Sequence, residues 1–297
     1  MSVMSECPTR QILNPGNSNC GGCGATSGLS LLSRAMEERK IQIVIPACCS
    51  AVAAGLFPNS VYGVPALLTT FAATASGATG LSVVARLNGE DTRVVCWAGD
   101  GGTYDIGMAT LSAAAERNED ILYICYDNEI YGNTGGQRSS ATPHGATTTN
   151  TPPGGKVEVK KDIMEIMAAH RVPYAATVSI AHHEDAIRKM RYALDQRGFR
   201  FLHLLSPCPT GWKSEPSQGV ELVRLAVRSG LFPLIEIFDG KRRVVNVEPD
   251  FSNDALAKYL HLQRRFRKSG IEPEALAPEI EEHWSALRAK VKCFEEV

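Results

Sequence analysis

Three short apolar runs constrain this chain most: KIQIVIPA (40–47), TRVVCWAGD (92–100) and DILYICYDN (120–128). Each is nearly continuously apolar, as in parallel strands covered on both faces rather than strands with one wet face. Between the last two lies DIGMATLSAAAER (105–117), Ala-rich with apolar residues at helical spacing. A strand–helix–strand unit of this kind makes a right-handed crossover. It predicts an α/β chain with a doubly wound, mostly parallel sheet and helices on both faces. YAATVSI (174–180) and FRFLHLLSP (199–207) predict two more strands around the helix HEDAIRKMRYALDQR. LIEIFDGKRRVVNV (234–247) alternates around Asp239 and Gly240, as a hairpin does. Further helices are expected after Cys23 and over 160–172 and 219–230. Residues 253–297 read as two charged amphipathic helices around a break at 270–273, with their charges in solvent. Residues 1–19, with Pro8, Pro15 and Gly16, read as an extended arm. Residues 132–156 form a polar loop without periodicity, and structureless loops of more than about 12–15 residues are usually functional or disordered.

Bulk charge excludes some classes. Lysine plus arginine count 31 against 32 aspartates and glutamates, a net charge of 31 − 32 = −1. Such balance gives no reason to bind nucleic acid or an anionic membrane. Apolar residues make up 44% of the 297, ordinary for a packed globular protein. No stretch reads as a membrane span; 62–87 comes nearest but is rich in Ala, Gly, Ser and Thr. The start, MSVMSECPTR, lacks a basic region followed by an apolar run, so a secretory signal is not expected and the chain reads as cytoplasmic.

In an open parallel sheet, ligands bind beyond the carboxyl ends of the strands. Two loops belong there: GDGGTYDIG (99–107) and DNEIYGNTGGQ (127–137). Asp100 offers a carboxylate and Asn128 an amide oxygen, the hard ligands that Mg²⁺ shares with phosphates. Gly99, Gly101 and Gly102 allow close backbone approach to a phosphate. The N-terminus of the helix expected over 105–117 would face the anion. By chemistry alone this is a Mg²⁺–diphosphate cradle. GDG by itself is a weak signal, since Asp-Gly is a common turn; its pairing with a second Asn-bearing loop one crossover later is much stronger.

GDG (99–101) followed by DN (127–128) resembles the diphosphate motif of thiamine diphosphate (TPP) enzymes. The flanks GDGGTYDIG, YDNEIYGNTGGQRSSATPHGA and the downstream KKDI resemble pyruvate:ferredoxin oxidoreductase and its relatives that oxidise other 2-oxo acids, in which a chain of this length is the β subunit. The resemblance covers roughly residues 17–215. It implies a TPP-binding α/β domain over 1–215, with an N-terminal cluster segment, and an extension over 216–297. It implies Mg²⁺ bound by Asp100, Asn128 and the carbonyl of Ile130. It also implies cofactor contacts from Gly99, Asp100, Gly101, Gly102, Asn128, Glu129, Ile130, Tyr131, Gly132 and Asn133, with Asn133 near the reacting thiazolium. Ala25 and Cys48 fall on further cofactor-touching positions. Where many TPP enzymes have Asn-Asn, this chain has Asp127 and Asn128.

The nine cysteines are an odd number in a chain without an export signal, so no disulfide framework is expected. Cys20 and Cys23 form a C-x-x-C pair that alone fits a redox site, zinc or nothing. Cys48 and Cys49 are adjacent, and neighbouring side chains of an extended segment point opposite ways, so one at most joins such a site. Cys208, between two prolines, is a fourth candidate, and four thiolates suit a [4Fe–4S] cluster. The resemblance implies Cys20, Cys23, Cys48 and Cys208 as its ligands, with Cys49 outside the set. Cys96 and Cys125 lie in apolar strands and read as core; Cys7 and Cys293 have no assigned role.

TPP chemistry on a 2-oxo acid releases CO₂ and leaves an electron-rich adduct that a nearby cluster can oxidise. The resemblance implies coenzyme A as acyl acceptor in most of the family, and ferredoxin or a ferredoxin-like chain as electron acceptor. TPP enzymes also need a glutamate from a second α/β domain, for which 297 residues leave no room. Partner subunits should supply it. His144 and Arg138 are weaker candidates for contact with substrate or a coenzyme phosphate. Tyr104, Ile106 and Tyr131 are candidate pocket walls, and His182 and His183 read as a helix-capping region. The pyruvate type is nearest by motif. The alternatives are another acid (2-oxoisovalerate, oxalate or an aromatic glyoxylate), a non-oxidative TPP lyase half with structural zinc, or a non-enzymatic binding module.

Overall fold

The computed structural model of the chain describes residues 10–56 and 58–295; Cys7 and the first nine residues of the expected arm lie outside them. The strands are β1 (Lys40–Pro46), β2 (Ala66–Thr69), β3 (Thr92–Gly99), β4 (Leu122–Asp127), β5 (Tyr174–Ser179), β6 (Arg200–Leu205), β7 (Leu234–Phe238) and β8 (Arg242–Val247). The helices are α1 (Gly24–Met36), α2 (Cys49–Val52), α3 (Thr74–Leu87), α4 (Met108–Glu116), α5 (Ile163–Ala169), α6 (His183–Asp195), α7 (Pro209–Trp212), α8 (Gly219–Arg228), α9 (Asn253–His261) and α10 (Pro273–Glu295).

The strands form one eight-stranded sheet in the order β2-β1-β3-β4-β6-β5-β7-β8. β1 to β6 pair in parallel; β7 joins β5 antiparallel and β8 closes the hairpin. β4, β5 and β6 are buried along their whole length, which is why their sequences are apolar without alternation. Successive residues of β3 face opposite layers. Trp97 packs against Gly28 of α1, and the Cys96 thiol lies against the Thr74 carbonyl at the start of α3. Helices therefore cover both faces, as expected.

Four expectations shift. β2 and α3 are strand and helix where composition suggested neither: α3 carries Gly77, Gly80 and several small residues, and β2 lies at the sheet edge with Leu67 and Leu68 exposed. The helix expected from 105 begins at Met108, after a π-helical turn over Gly101–Asp105. The C-terminal break is wider than 270–273, running from the end of α9 to Pro273. Its charges are not all in solvent, because Arg265 is buried and Leu276, Ile280, Trp284 and Leu287 of α10 enter the core. Residues 216–295 thus extend the same sheet and core.

Candidate active site

The strand order reverses between β1 and β3, because the chain leaves β1 outward to β2 and returns to β3 on its other side. At this switch point a cleft of about 350 Å³ opens at the carboxyl ends of β1, β3 and β4. It is lined by Cys48, Gly99, Asp100, Gly101, Gly102, Asn128, Ile130, Tyr131, Gly132 and Asn133, together with Cys49, Phe71 and Tyr126. Ten of the expected site residues thus meet in one place.

Two expected cofactor residues do not. Ala25 is buried in the core, on the face that α1 turns to the sheet. Glu129 turns its side chain away from the cleft, where Arg265 and Lys160 grip its two oxygens at 2.6 and 2.9 Å. Its backbone takes φ +63, a conformation rare outside glycine, and those two ion pairs hold it there.

The first loop is shaped by close approach. A Cβ at Gly101 would overlap the ring of Tyr131, whose hydroxyl donates to the Gly101 carbonyl (3.3 Å) and to Asp105 (3.0 Å). Asp100 is sealed from solvent and accepts a 2.5 Å hydrogen bond from the Ser139 hydroxyl. Burial, then the neighbouring Asp127, push its carboxyl well above the usual range. A sealed carboxylate beside a second one is a poor anion alone and a good ligand for a divalent cation. In the second loop, the Asn128 side-chain oxygen accepts from Ile130 N–H (3.3 Å), and the Asn128 carbonyl accepts from the Trp212 indole (2.9 Å). The donor set (a carboxylate, an amide and the free Ile130 carbonyl, all oxygens) fits Mg²⁺ with a diphosphate.

Behind these loops lies a polar network without an obvious sequence signature. Asp127 is fully buried; its Oδ2 meets Lys160 (2.6 Å), His203 (2.8 Å) and the Tyr104 hydroxyl (3.1 Å). Burial alone would raise its pKa, but Lys160 and His203 hold it well below the carboxylate range. Burial likewise opposes the Lys160 ammonium, while Asp127 and Glu129 hold its pKa above the usual value. Tyr104 is therefore a buried strut behind the cleft and does not line it, and Ile106 is exposed outside the cleft. The long polar loop is fastened from beneath: Lys156 donates to the Thr142 carbonyl (2.7 Å), and Lys161 donates to the Tyr104 carbonyl. His144 pairs with Glu279 of α10 at 2.5 Å, and Arg138 with Glu158 at 3.0 Å, so neither lines the cleft. His182 caps α6, with Nδ1 3.1 Å from the Ser179 hydroxyl.

The eight described cysteines are all free thiols. Cys20 and Cys23 share a turn, Cys23 N–H donating to the Cys20 carbonyl (3.1 Å), and Gly24 N–H donates to Pro207 (3.0 Å), which fixes that turn beside Cys208. The Gly211 amide donates to the Cys208 sulfur (3.2 Å). Cys49 begins α2, and its thiol accepts from the Asn133 amide (3.4 Å) at the cleft wall. Burial first, then Cys208, Cys48 and Cys23, push that thiol up to about 12. Cys48 is extended (φ −161, ψ −178), and its thiol lies against the Tyr126 hydroxyl and the Gly99 backbone at the cleft floor. That hydroxyl is buried with no hydrogen bond of sound geometry. Among the described residues, no three Cys, His, Asp or Glu side chains converge to grip a single ion. A [4Fe–4S] cluster instead presents each of its four thiolates with a separate iron, and Cys20, Cys23, Cys49 and Cys208 suit that donor chemistry. Cys96 and Cys125 are core residues, and Cys293 is exposed.

A cleft at the switch point with two phosphate-facing loops defines a cofactor-binding α/β enzyme domain, and residues 47–204 match the family described as thiamine pyrophosphate enzyme, C-terminal TPP binding domain. The ketoisovalerate oxidoreductase subunit VorB of Pyrococcus horikoshii is 43% identical, covering 97% of this chain and 96% of its own. The pyruvate synthase subunit PorB of Methanothermobacter marburgensis is 43% identical, covering 88% of this chain and 91% of its own. A solved 2-oxoglutarate:ferredoxin oxidoreductase from Magnetococcus marinus shares the fold, with a TM-score of 0.61 at 24% identity, covering 74% of this chain and 81% of that one. The chain belongs to the family of TPP-binding β subunits of 2-oxo acid:ferredoxin oxidoreductases. No helix among the described residues is long and apolar enough to cross a membrane.

Proposed function

We propose that this subunit holds Mg²⁺–TPP and one [4Fe–4S] cluster and supports oxidative decarboxylation of a 2-oxo acid, pyruvate in the first instance, to an acyl-coenzyme A. The observation that carries this reading is the single cleft in which both glycine- and oxygen-bearing loops meet the adjacent cysteines Cys48 and Cys49. Asp100, Asn128 and the Ile130 carbonyl would hold Mg²⁺, with 99–102 cradling the diphosphate. Cys20, Cys23 and Cys208 would hold the cluster, with Cys49 taking the place first assigned to Cys48. Bound TPP supplies the carbanion chemistry that releases CO₂, and the cluster supplies one-electron acceptance. The chain's own part is to fix the oxygens, exclude water from Asp100 and Asp127, and set Asn133 and Cys49 beside the reacting end. Residues 1–215 would form the cofactor domain and 216–297 its extension. Partner subunits would bring the pyrimidine-side domain with its glutamate, and ferredoxin or a ferredoxin-like chain would take the electrons.

A second substrate, 2-oxoisovalerate, is favoured by the longer match to the ketoisovalerate subunit, 97% of this chain against 88%. The test is acid-dependent viologen reduction by the anaerobically purified complex, comparing kcat/KM for the two acids. The isolated subunit is expected to be inactive, and turnover by it alone would overturn the shared-site reading. In the isolated subunit, Cys49→Ser should abolish the brown colour and acid-labile sulfide while Cys48→Ser retains them. The reverse pattern would restore Cys48 as ligand, and a colourless wild type with stoichiometric zinc would establish the lyase alternative.

A further inference from the structure

Asn133 joins the second loop to the cysteine group by a hydrogen bond: its side-chain amide nitrogen donates to the Cys49 sulfur at 3.4 Å while the residue lines the cleft. The contact is built rather than incidental. Asn133 sits on the tip of a small hairpin closed by the Tyr131–Gln137 bridge, with Tyr131 N–H donating to Gln137 (2.9 Å) and Gly136 N–H to Tyr131 (3.0 Å). Thr134 and Gln137 brace the tip through side-chain bonds of 2.6 and 2.7 Å. The hairpin runs close to the sulfur, since a Cβ at Gly132 would lie in ordinary contact with it at 3.9 Å. On the far side of the cysteine group, the Gly211 amide makes the matching N–H···S bond to Cys208.

We propose that Asn133 is a tuning residue that acts through Cys49: its amide hydrogen bond to the ligand sulfur raises the cluster's reduction potential and so sets the driving force for electrons leaving the cofactor cleft. A hydrogen bond to a ligand sulfur stabilises the negative charge that reduction adds, so it favours the reduced cluster. The amide also ties the cleft wall to the sulfur, so a ligand that draws Asn133 into the cleft weakens the bond and lowers the potential. This inference rests on the cluster reading above.

The experiment is a redox titration of the whole complex, monitored by electron paramagnetic resonance, for wild type, Asn133→Leu, Asn133→Asp and Asn133→Gln. Asn133→Leu is expected to shift the one-electron equilibrium at least threefold toward the oxidised cluster. Asn133→Asp, which also adds charge, should shift it about tenfold, or 59 mV for one electron. Asn133→Gln, which keeps the donor, should stay nearer wild type than either. Unchanged potentials in both Asn133→Leu and Asn133→Asp at wild-type iron content would overturn the inference. Absence of a cluster signal in wild type would overturn the cluster reading instead.

Discussion

Lys160→Met removes the one cation that joins two sealed carboxylates. Lys160 lies 2.6 Å from Asp127 and 2.9 Å from Glu129, whose side chains are 0% and 5% exposed. After the change Asp127 keeps His203 and Tyr104, and Glu129 keeps Arg265, but each carries charge that was shared. Breaking a buried ion pair from one side costs about 3–5 kcal/mol. Because 24% of the Lys160 side chain still reaches solvent, the lower end, about 3 kcal/mol, applies. At about 2–4 °C per kcal/mol this is a fall of roughly 6–12 °C in Tm by scanning calorimetry. The loss should depend on pH. Asp127 titrates below its unfolded value, so its pairing stabilises fully above about pH 3.9 and is lost as pH falls through the lower folded value. Lys160 titrates above its unfolded value, so its contribution persists up to about pH 10.4 and is lost only beyond. Wild type and variant should differ most near neutral pH and converge as pH falls below about 4. A Tm within about 2 °C of wild type at pH 7 would refute the reasoning, because it would mean that the network is not held by this charge.

Gly101→Ala should drive a methyl into the Tyr131 ring and weaken Mg²⁺–TPP binding at least about tenfold, some 1.4 kcal/mol, with circular dichroism unchanged; titration calorimetry measures it. Tyr126→Phe removes a buried hydroxyl with no sound hydrogen bond, so the cofactor-free protein should melt no lower than wild type, and the gain should not exceed about 1–3 kcal/mol. Because burial pushes the Asp100 carboxyl well above the ordinary range, and on the proposed reading its ionised form would bind Mg²⁺, affinity for Mg²⁺–TPP should fall as pH drops. Constant affinity from about pH 8 to about pH 5 would contradict it.

The central strands were legible because burial on both faces removes alternation and leaves runs such as LYICYD. GDG and DN stood out because glycine beside a hard oxygen at a strand end is a local pattern, and the fold brings the two loops into one cleft. What escaped was non-local. Asp127 meets His203 across two adjacent strands, and Lys160 reaches it from a polar loop; nothing in the neighbourhood of either partner announces the pairing. Arg265 sits among charges that read as surface, yet it anchors the C-terminal segment to Glu129. Choosing between Cys48 and Cys49 required the backbone angle at which β1 gives way to α2, which residue type does not encode. β2 escaped because an exposed four-residue edge strand is too short to show a period, and α3 because its glycines and small residues blur the helical one.

The outer edge of β2 has a practical consequence. Among the described residues only β1 pairs with this strand, which leaves its other side as the sheet edge beside exposed Leu67 and Leu68. Such an edge is a template on which another strand can add, and the four-residue length of β2 keeps it short. In a cell that makes this subunit alone, edge-to-edge association therefore competes with assembly. Matching the stoichiometry of co-expressed subunits should do more for recovery than any change of buffer.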